Sequence, residues 1–528
     1  MTVSELEDIG ASAPHRACTQ LNIRGLSDDT ISRFILGLDD IPVQMSVEQA
    51  AAELNDPFAA RLLRAGIFPN TAGEVLHELE QVDPGGPLAQ QKFFLVGEGS
   101  QLPAEVTEAQ RNMRFLVACG IGSQGAEVVL SSFHPDEGMV EVMAWDAIQG
   151  GFNFYRTMSD SNAWVFAGNS RHALGSPTRD HGPFESHVNG NILMKELKVP
   201  WVHWHSPFAA VPASSLATQG LDAHPWVGRL DFAGAYTLEE QAVRPGITRW
   251  SEARATAITA GTAVETPARM LEQLVTTLTV NLISSLTTSA SAQSRTVEHV
   301  DLPSTFFVDA DLFELVGLPG PPRLRVASGT YQQAILDFGV TLDDGQGFTQ
   351  PGDTHFAFIV PERAFEDVAT VRAALNAGLL TRRLIASLLM VDFSNPLFST
   401  RRGALSRHLA DVPWPGDGLA YSDAVAQAVL TSPEAGREGS AEFEFAQNWS
   451  AGEGFAEVFT ERLNEFYSKL EALLASTDGF AQVYQLAESR RTAVKELPIF
   501  ESRMLFSTSA VAPSSLVMTD SAVIEEVS

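Results

Sequence analysis

The chain has 528 residues, 45% of them hydrophobic, with 65 acidic against 35 basic side chains and a formal net charge of −30. That length exceeds one ordinary core and suggests about two to four structural units, while so negative a surface keeps the chain soluble and repels phosphate backbones, which argues against a nucleic-acid partner. Two cysteines, Cys18 and Cys119, are too few for a disulfide framework, a four-cysteine zinc site or an iron–sulfur cluster. The acidic N-terminus MTVSELEDIGASAPHR lacks the basic and apolar regions of a secretory signal. No apolar run reaches the ~18 residues that a membrane span needs. The expectation is a cytoplasmic protein with no membrane partner.

Residues 1–25 form a polar lead-in. From Ser27 to about Val82 the pattern is helical. Ser27 precedes Asp28 and Asp29, and Ile31, Phe34, Ile35 and Leu38 follow at helical spacing. Ser46 opens a further helix, so residues 26–83 are expected to be an N-terminal helical unit. Pro84-Gly-Gly-Pro87 then breaks the chain. Between Arg114 and Asn169 the period shortens. The runs RFLVAC, AEVVLSSF, MVEVMAW, FNFYRTM and AWVFAGN, separated by turn residues, predict an antiparallel meander within residues 84–210. The histidine-rich stretch that follows is expected on loops and a short helix at the edge of this sheet.

Residues 211–506 read as a large helical body. Thr266-Pro267 is a cap followed by an N1 proline, and the apolar run Met270 to Leu286 suggests a buried central helix. Pro319-Gly-Pro-Pro322 interrupts the pattern, which resumes at 364–392, 419–431 and 455–476. The Ser/Ala/Val-rich residues 507–528 read as a flexible tail. The fold class expected is therefore α+β and helix-rich, with a small antiparallel sheet packed against a large helical body.

The chemistry concentrates between His172 and His205. Five of the twelve histidines, His172, His181, His187, His203 and His205, lie here with Trp201 and Trp204. Imidazole is the commonest metal ligand and titrates nearest neutral pH. If Trp201-Val-His-Trp-His205 is extended, His203 and His205 point to one side and can meet one metal ion. His187, His181, Glu185 and Glu196 are near enough in sequence to add a ligand, and Met194 could ligate a haem iron. The competing explanation is that these histidines hydrogen-bond structurally beside packed tryptophans.

Gly120-Ile-Gly-Ser-Gln-Gly125 is a literal G-x-G-x-x-G with Asp146 further on. The short β-branched run after it leaves no room for the helix a dinucleotide site requires, and a glycine-rich hairpin turn explains it better. No nucleophile-elbow, Walker or H-E-x-x-H motif occurs. The doublets Arg401-Arg402 and Arg490-Arg491 stand out in an acidic chain as ion-pair partners.

The run HGPFESHVNGNILMKELKVPWVHWHS resembles a group of large bacterial proteins related to c-type cytochromes, in which a C-x-x-C-H haem-attachment box precedes M-K-E-L and P-W-x-x-W. The segments 356–402 and 495–506 are similar too. Here the box reads Pro183-Phe-Glu-Ser186-His187, so both cysteines are lost and thioether attachment is impossible. Their loss agrees with the missing export signal, because c-type haem is normally attached outside the cytoplasm. The resemblance implies an inherited scaffold around a histidine-bearing pocket, with His187 carried over as the metal ligand.

Together these features lead to the expectation of a metal-dependent oxidoreductase acting on a small organic molecule. His187, His203, His205 and Glu185 would be the metal ligands. Phe184, Met194, Trp201 and Trp204 would line the cofactor pocket, and Glu196 and His181 would move protons. Iron or non-covalent haem is the expected cofactor, with copper or zinc as alternatives. Two other readings are a non-catalytic binding or scaffold protein and a zinc-dependent hydrolase or isomerase.

Overall fold

A computed structural model describes residues 26–97, 113–158, 161–185, 187–192, 216–217, 220–230, 235–263, 265–277, 280–282, 294–343, 349–352, 361–363, 365–495, 507–508 and 515–527. The fold is α+β. The chain divides into two compact units, Met1–Ala253 with Pro498–Met504 and Arg254–Leu497 with Leu505–Ser528.

The first unit is built on an eight-stranded sheet in the order β2-β1-β8-β7-β6-β5-β4-β3. Its strands are β1 (Ile31–Arg33), β2 (Val43–Gln44), β3 (Gln91–Gly97), β4 (Met113–Cys119), β5 (Val128–Ser132), β6 (Val140–Asp146), β7 (Gly151–Met158) and β8 (Ser161–Asn169). Strands β3 to β8 form an up-and-down antiparallel meander with consecutive neighbours paired. The alternation anticipated from sequence sorts their side chains onto two faces. Val142, Ala144, Tyr155, Trp164 and Phe166 join one core with Phe58, Leu62, Val75 and Leu79 from the helices Pro57–Arg61 and Ala72–Val82 and the turn after the first of them. Trp145, Phe152 and Phe154 are also buried, one position out of phase along β6 and β7, and so point to the opposite face.

The stretch after Ser27, expected to be helical, instead forms β1, which pairs in parallel with β8 and antiparallel with β2. Ile31 and Ile35 still reach the core, but as members of a strand and the turn after it. The open edge of β8 offers unpaired backbone groups, and satisfying them outweighs the weak helical preference of this short segment. The Ser46 helix does form, at Val47–Glu53. Its reciprocal capping box has Gln49 N–H donating to Ser46 Oγ at 3.2 Å and Ser46 N–H donating to Gln49 Oε1 at 2.8 Å. Residues Gly120 to Gly125 make the β4–β5 turn, closed by paired bonds between Gly122 and Gly125, and no helix follows.

The second unit is mostly helical. Phe365–Asn376, Arg382–Leu389, Gly418–Leu430, Ala441–Ser450, Phe455–Leu474 and Thr477–Lys495 enclose a core containing Phe306, Phe313, Leu388, Phe445, Phe466 and Tyr484. The apolar run from Met270 does not make one long helix. Pro267–Val275 is helical, then β-branched Thr276 and Thr277 lead into the strand Val280–Leu282, which pairs with Pro361–Arg363. Residues 515–527, in the stretch read from sequence as a flexible tail, contain a hairpin of Leu516–Met518 and Ile524–Glu526 whose Met518 is 1% exposed. Among the described residues no helix is long and apolar enough to cross a membrane.

In the first unit Phe58 is fully buried, with ring centroids 4.8 Å from Trp164 and 5.3 Å from Tyr155. Phe58→Ala should cost about 3–5 kcal/mol by lost burial and a residual cavity. Urea denaturation checks this, and a cost below about 1 kcal/mol would show that Phe58 does not anchor the helices to the sheet.

Candidate functional site

The described part of the histidine segment, residues 172–185 and 187–192, begins where β8 ends and folds back over the face of the sheet that carries Phe154. It does not lie at the sheet edge, because β1 and β2 cover that side of β8. Short 3-10 turns at His172–Leu174, Gly182–Glu185 and Val188–Gly190 carry it. Half-buried His172 accepts the Asn169 amide N–H at Nδ1, 3.0 Å away, which leaves the proton of the neutral ring on Nε2. Burial, and then the charge of Arg33, pushes its pKa below the usual histidine value.

Phe184 is buried, edge-on to Phe154 at 5.5 Å and stacked with His172 at 6.4 Å. His181 is exposed, its carbonyl accepting the Phe184 N–H at 3.1 Å. The backbone of Glu185 ends the turn Gly182–Glu185.

His187 sits half-buried with its ring centroid 4.9 Å from that of Phe154. Its Nδ1 lies 2.9 Å from the Asn191 carbonyl oxygen. A carbonyl can only accept, so Nδ1 carries the proton and Nε2 is the basic nitrogen of the neutral ring. The turn that holds this bond is itself fixed. Asn189 has φ 58°, and its carbonyl accepts the indole N–H of Trp250 at 2.8 Å. Gly190 has φ 70° and packs so closely on Ser170 that an added Cβ would lie 2.2 Å from the Ser170 carbonyl oxygen. Ser170 Oγ donates to the Gly190 carbonyl at 2.6 Å. Only glycine fits there.

Met194, Glu196, Trp201, His203, Trp204 and His205 lie outside the described residues, as does the Glu185 side chain. The structure thus places Phe184 and His187 against Phe154, stacks His172 on Phe184 and leaves His181 on the surface. Among the described residues no three His, Cys, Asp or Glu side chains come together as metal ligands. Cys119 is buried, and burial pushes its thiol up to about 12, which keeps it protonated and inert.

Sequence reasoning missed buried carboxylates that organise each unit. In the first unit Asp56 caps the helix Pro57–Arg61 through the Ala59 amide at 2.9 Å and accepts from Tyr155 Oη and, at 2.8 Å, from Asn153 Nδ2. Asp146 accepts the amides of Asn55, Ile148 and Gln149 at 2.9–3.0 Å and so closes the β6–β7 turn. Burial raises the Asp56 carboxyl above its ordinary value, despite those donors. Two close acids suggest proton transfer, yet these oxygens are committed to a helix cap and a turn.

In the second unit Asp309 bridges two buried guanidinium groups. Arg363 forks onto it at 2.6 and 3.2 Å, and Arg402 Nη1 donates at 2.7 Å. The remaining Arg402 nitrogens donate to the carbonyls of Val391 and Leu389 at 3.1 and 3.2 Å. Burial alone would raise the Asp309 carboxyl, but Arg363 and Arg402 outweigh it and hold the group below the usual carboxylate range. The shallow pocket beside Asp309 and Arg363 is also lined by Thr305, Asp311 and Leu312 and is about the size of a water molecule, too small for an organic substrate. The sequence signal for this cluster was an acid inside the apolar run Phe306-Phe-Val-Asp309, together with the Arg401-Arg402 doublet.

Searches against models of protein families, curated proteins and solved structures find no match for this chain.

Asp309→Ala leaves buried Arg402 without its carboxylate and Arg363 with only Asp367, 3.7 Å away, and should lower the stability of the second unit by about 3–5 kcal/mol in denaturant titration. The depressed pKa fixes the sign of the pH effect. The stability contributed by the bridge is present above the unfolded-state pKa of about 3.9 and is lost as pH falls through the lower folded-state value. The variant should therefore lose less stability than the parent on acidification below about pH 4; parallel pH profiles would contradict this.

Proposed function

We propose that the chain is a metal-dependent oxidoreductase acting on a small organic molecule in the cytoplasm, with iron or non-covalently held haem as cofactor. The bond between His187 Nδ1 and the Asn191 carbonyl carries this reading. Metal-binding histidines characteristically donate their second ring nitrogen to a carbonyl or carboxylate, which fixes the ring and its tautomer. His187 has that tautomer, on a turn locked by Gly190, Ser170 and Trp250 and against the ring of Phe154. Such an imidazole suits a metal or haem iron.

His203, His205 and Glu185 would complete the ligand set. Met194, Trp201 and Trp204 would line the cofactor with Phe184. Glu196 and the exposed His181 would carry protons between solvent and substrate. The bound metal would supply redox chemistry, with dioxygen or a peroxide as oxidant. Copper would serve the same class of reaction, whereas zinc would turn the site to hydrolysis or isomerisation.

A second reading has an observation of its own. His172 is also tied to backbone, through the Asn169 amide, and stacks on Phe184 in the manner of a packing histidine. That pattern supports a non-catalytic binding or scaffold protein.

Elemental analysis and absorption spectra of protein produced with iron and haem supplied separate the two. The oxidoreductase reading expects near-stoichiometric metal in the parent. It expects His203→Ala/His205→Ala to lose metal and melting temperature together, because a ligand stabilises the state that binds it. It expects His187→Ala to lower metal affinity by about tenfold or more. Metal-free folded parent protein, or metal content unchanged in all these variants, would sink it in favour of the binding reading. A colourless zinc protein would favour the hydrolase or isomerase.

A further inference from the structure

Residues 515–527 make a hairpin with two strands of three residues each. Its turn is closed by the Thr519 N–H to the Val523 carbonyl at 2.8 Å and by the Val523 N–H to Thr519 Oγ1 at 3.2 Å. A two-stranded hairpin of this length has little stability of its own in water. It is held by side chains of the second unit that address its backbone.

The centre of that contact is Asn395, which is 5% exposed. Its Oδ1 accepts the Met518 N–H at 3.0 Å, and its Nδ2 donates to the Met518 carbonyl at 2.8 Å. One side-chain amide thus does for Met518 what a neighbouring strand would do. Ser394 Oγ donates a second bond to the same carbonyl at 2.6 Å, and Ser489 Oγ accepts the Leu516 N–H at 2.9 Å. Met518 itself is buried in the core of the unit. Two residues on, Asp520 pairs with Arg462, which also holds Glu444 at 3.1 Å.

The socket is organised by other residues of the unit. Asn395 Nδ2 also donates to Asp392 Oδ1 at 2.7 Å, and Arg490 donates to the Ser394 carbonyl at 3.2 Å. Burial lowers the Arg490 pKa to about 10, yet it remains a cation at neutral pH, fixed on main-chain oxygens. The loop that carries Ser394 and Asn395, between the helices Arg382–Leu389 and Thr400–Ala404, is further held by Ser399 Oγ donating to Asp392 Oδ2. Preorganised polar groups, one apolar socket and one cation form the pattern by which domains take up an extended peptide through its backbone.

We propose that the second unit carries a peptide-docking site, formed by Ser394, Asn395, Arg462 and Ser489, that binds the chain's own C-terminal hairpin as a separable, non-covalent ligand. The site selects a β-strand with a large apolar side chain followed two residues later by an acid, as in Met518-Thr-Asp520.

The test uses the full chain with a protease recognition sequence inserted between Thr508 and Ser515. After cleavage and removal of the hairpin, a fluorescent peptide of residues 515–528 is titrated back. The expected result is saturable binding, displaced by unlabelled peptide, to protein whose circular dichroism shows it still folded. Asn395→Ala in the protein should weaken binding about tenfold or more, from the loss of paired backbone bonds. Met518→Asp in the peptide should abolish binding, and Asp520→Asn should weaken it and reduce its salt dependence. The two peptide variants cannot unfold the protein, so they keep the test decisive if Asn395→Ala folds poorly. Unfolding of the unit when the hairpin leaves, failure of the peptide to rebind folded protein, or equal binding of all variants would overturn the proposal.

Discussion

The carboxylate of Asp309, buried between the guanidinium groups of Arg363 and Arg402, is the constraint on which the second unit depends. Two cations removed from water are tolerable only with a counter-charge and a full set of acceptors. Asp309 supplies charge to both, and Asp367 adds a second carboxylate 3.7 Å from Arg363. The carbonyls of Leu389, Val391, Pro396 and Gln273 supply the acceptors. One consequence is geometric: the start of the helix Ala310–Val316, the strand Pro361–Arg363 and the loop between the helices Arg382–Leu389 and Thr400–Ala404 must meet at one point. The loop so fixed then presents Ser394 and Asn395 in the orientation that receives Met518.

The first unit uses a related device in a different place. Asp56 and Asp146 are fully buried, and Asn153 donates to both, at 2.8 and 3.4 Å. They cap a helix and close a turn, so they tie the helical layer to one face of the sheet. The opposite face is left to aromatic packing, where Phe154 touches both Phe184 and His187. The buried carboxylates Asp56, Asp146 and Asp309 are thus committed to architecture. In the histidine segment His187 has a tautomer fixed by the Asn191 carbonyl.

Much of the sheet was legible because two signals agreed. From β4 to β8 the alternation of apolar residues and the turn residues between runs point to the same strands. β1 was not legible, since Ile31, Phe34, Ile35 and Leu38 have helical spacing and only the presence of β8 decides otherwise. The Asp309 cluster was only half legible: the acid in its apolar run and the arginine doublet stand out, but the partners lie 54 and 93 residues away and no local pattern pairs them. The doublets pointed to ion pairing: Arg401 and Arg402 do pair, with Glu444 and Asp309, whereas Arg490 is held by the carbonyls of Phe306 and Ser394. The histidine run was conspicuous as composition. What composition could not give is the role of each ring, because that depends on which nitrogen is tied down, a matter of turn geometry at Asn189, Gly190 and Asn191.

The most direct test of the claim that Asp309 organises the second unit is a double-mutant cycle with Arg402. Asp309→Ala, Arg402→Ala and the double variant are compared by urea denaturation. The account predicts strong coupling, with the double variant less destabilised than the sum of the two single ones by about 0.5–3 kcal/mol, because each single change leaves a buried charge behind. Additive effects would show that the two groups do not depend on each other and would contradict it.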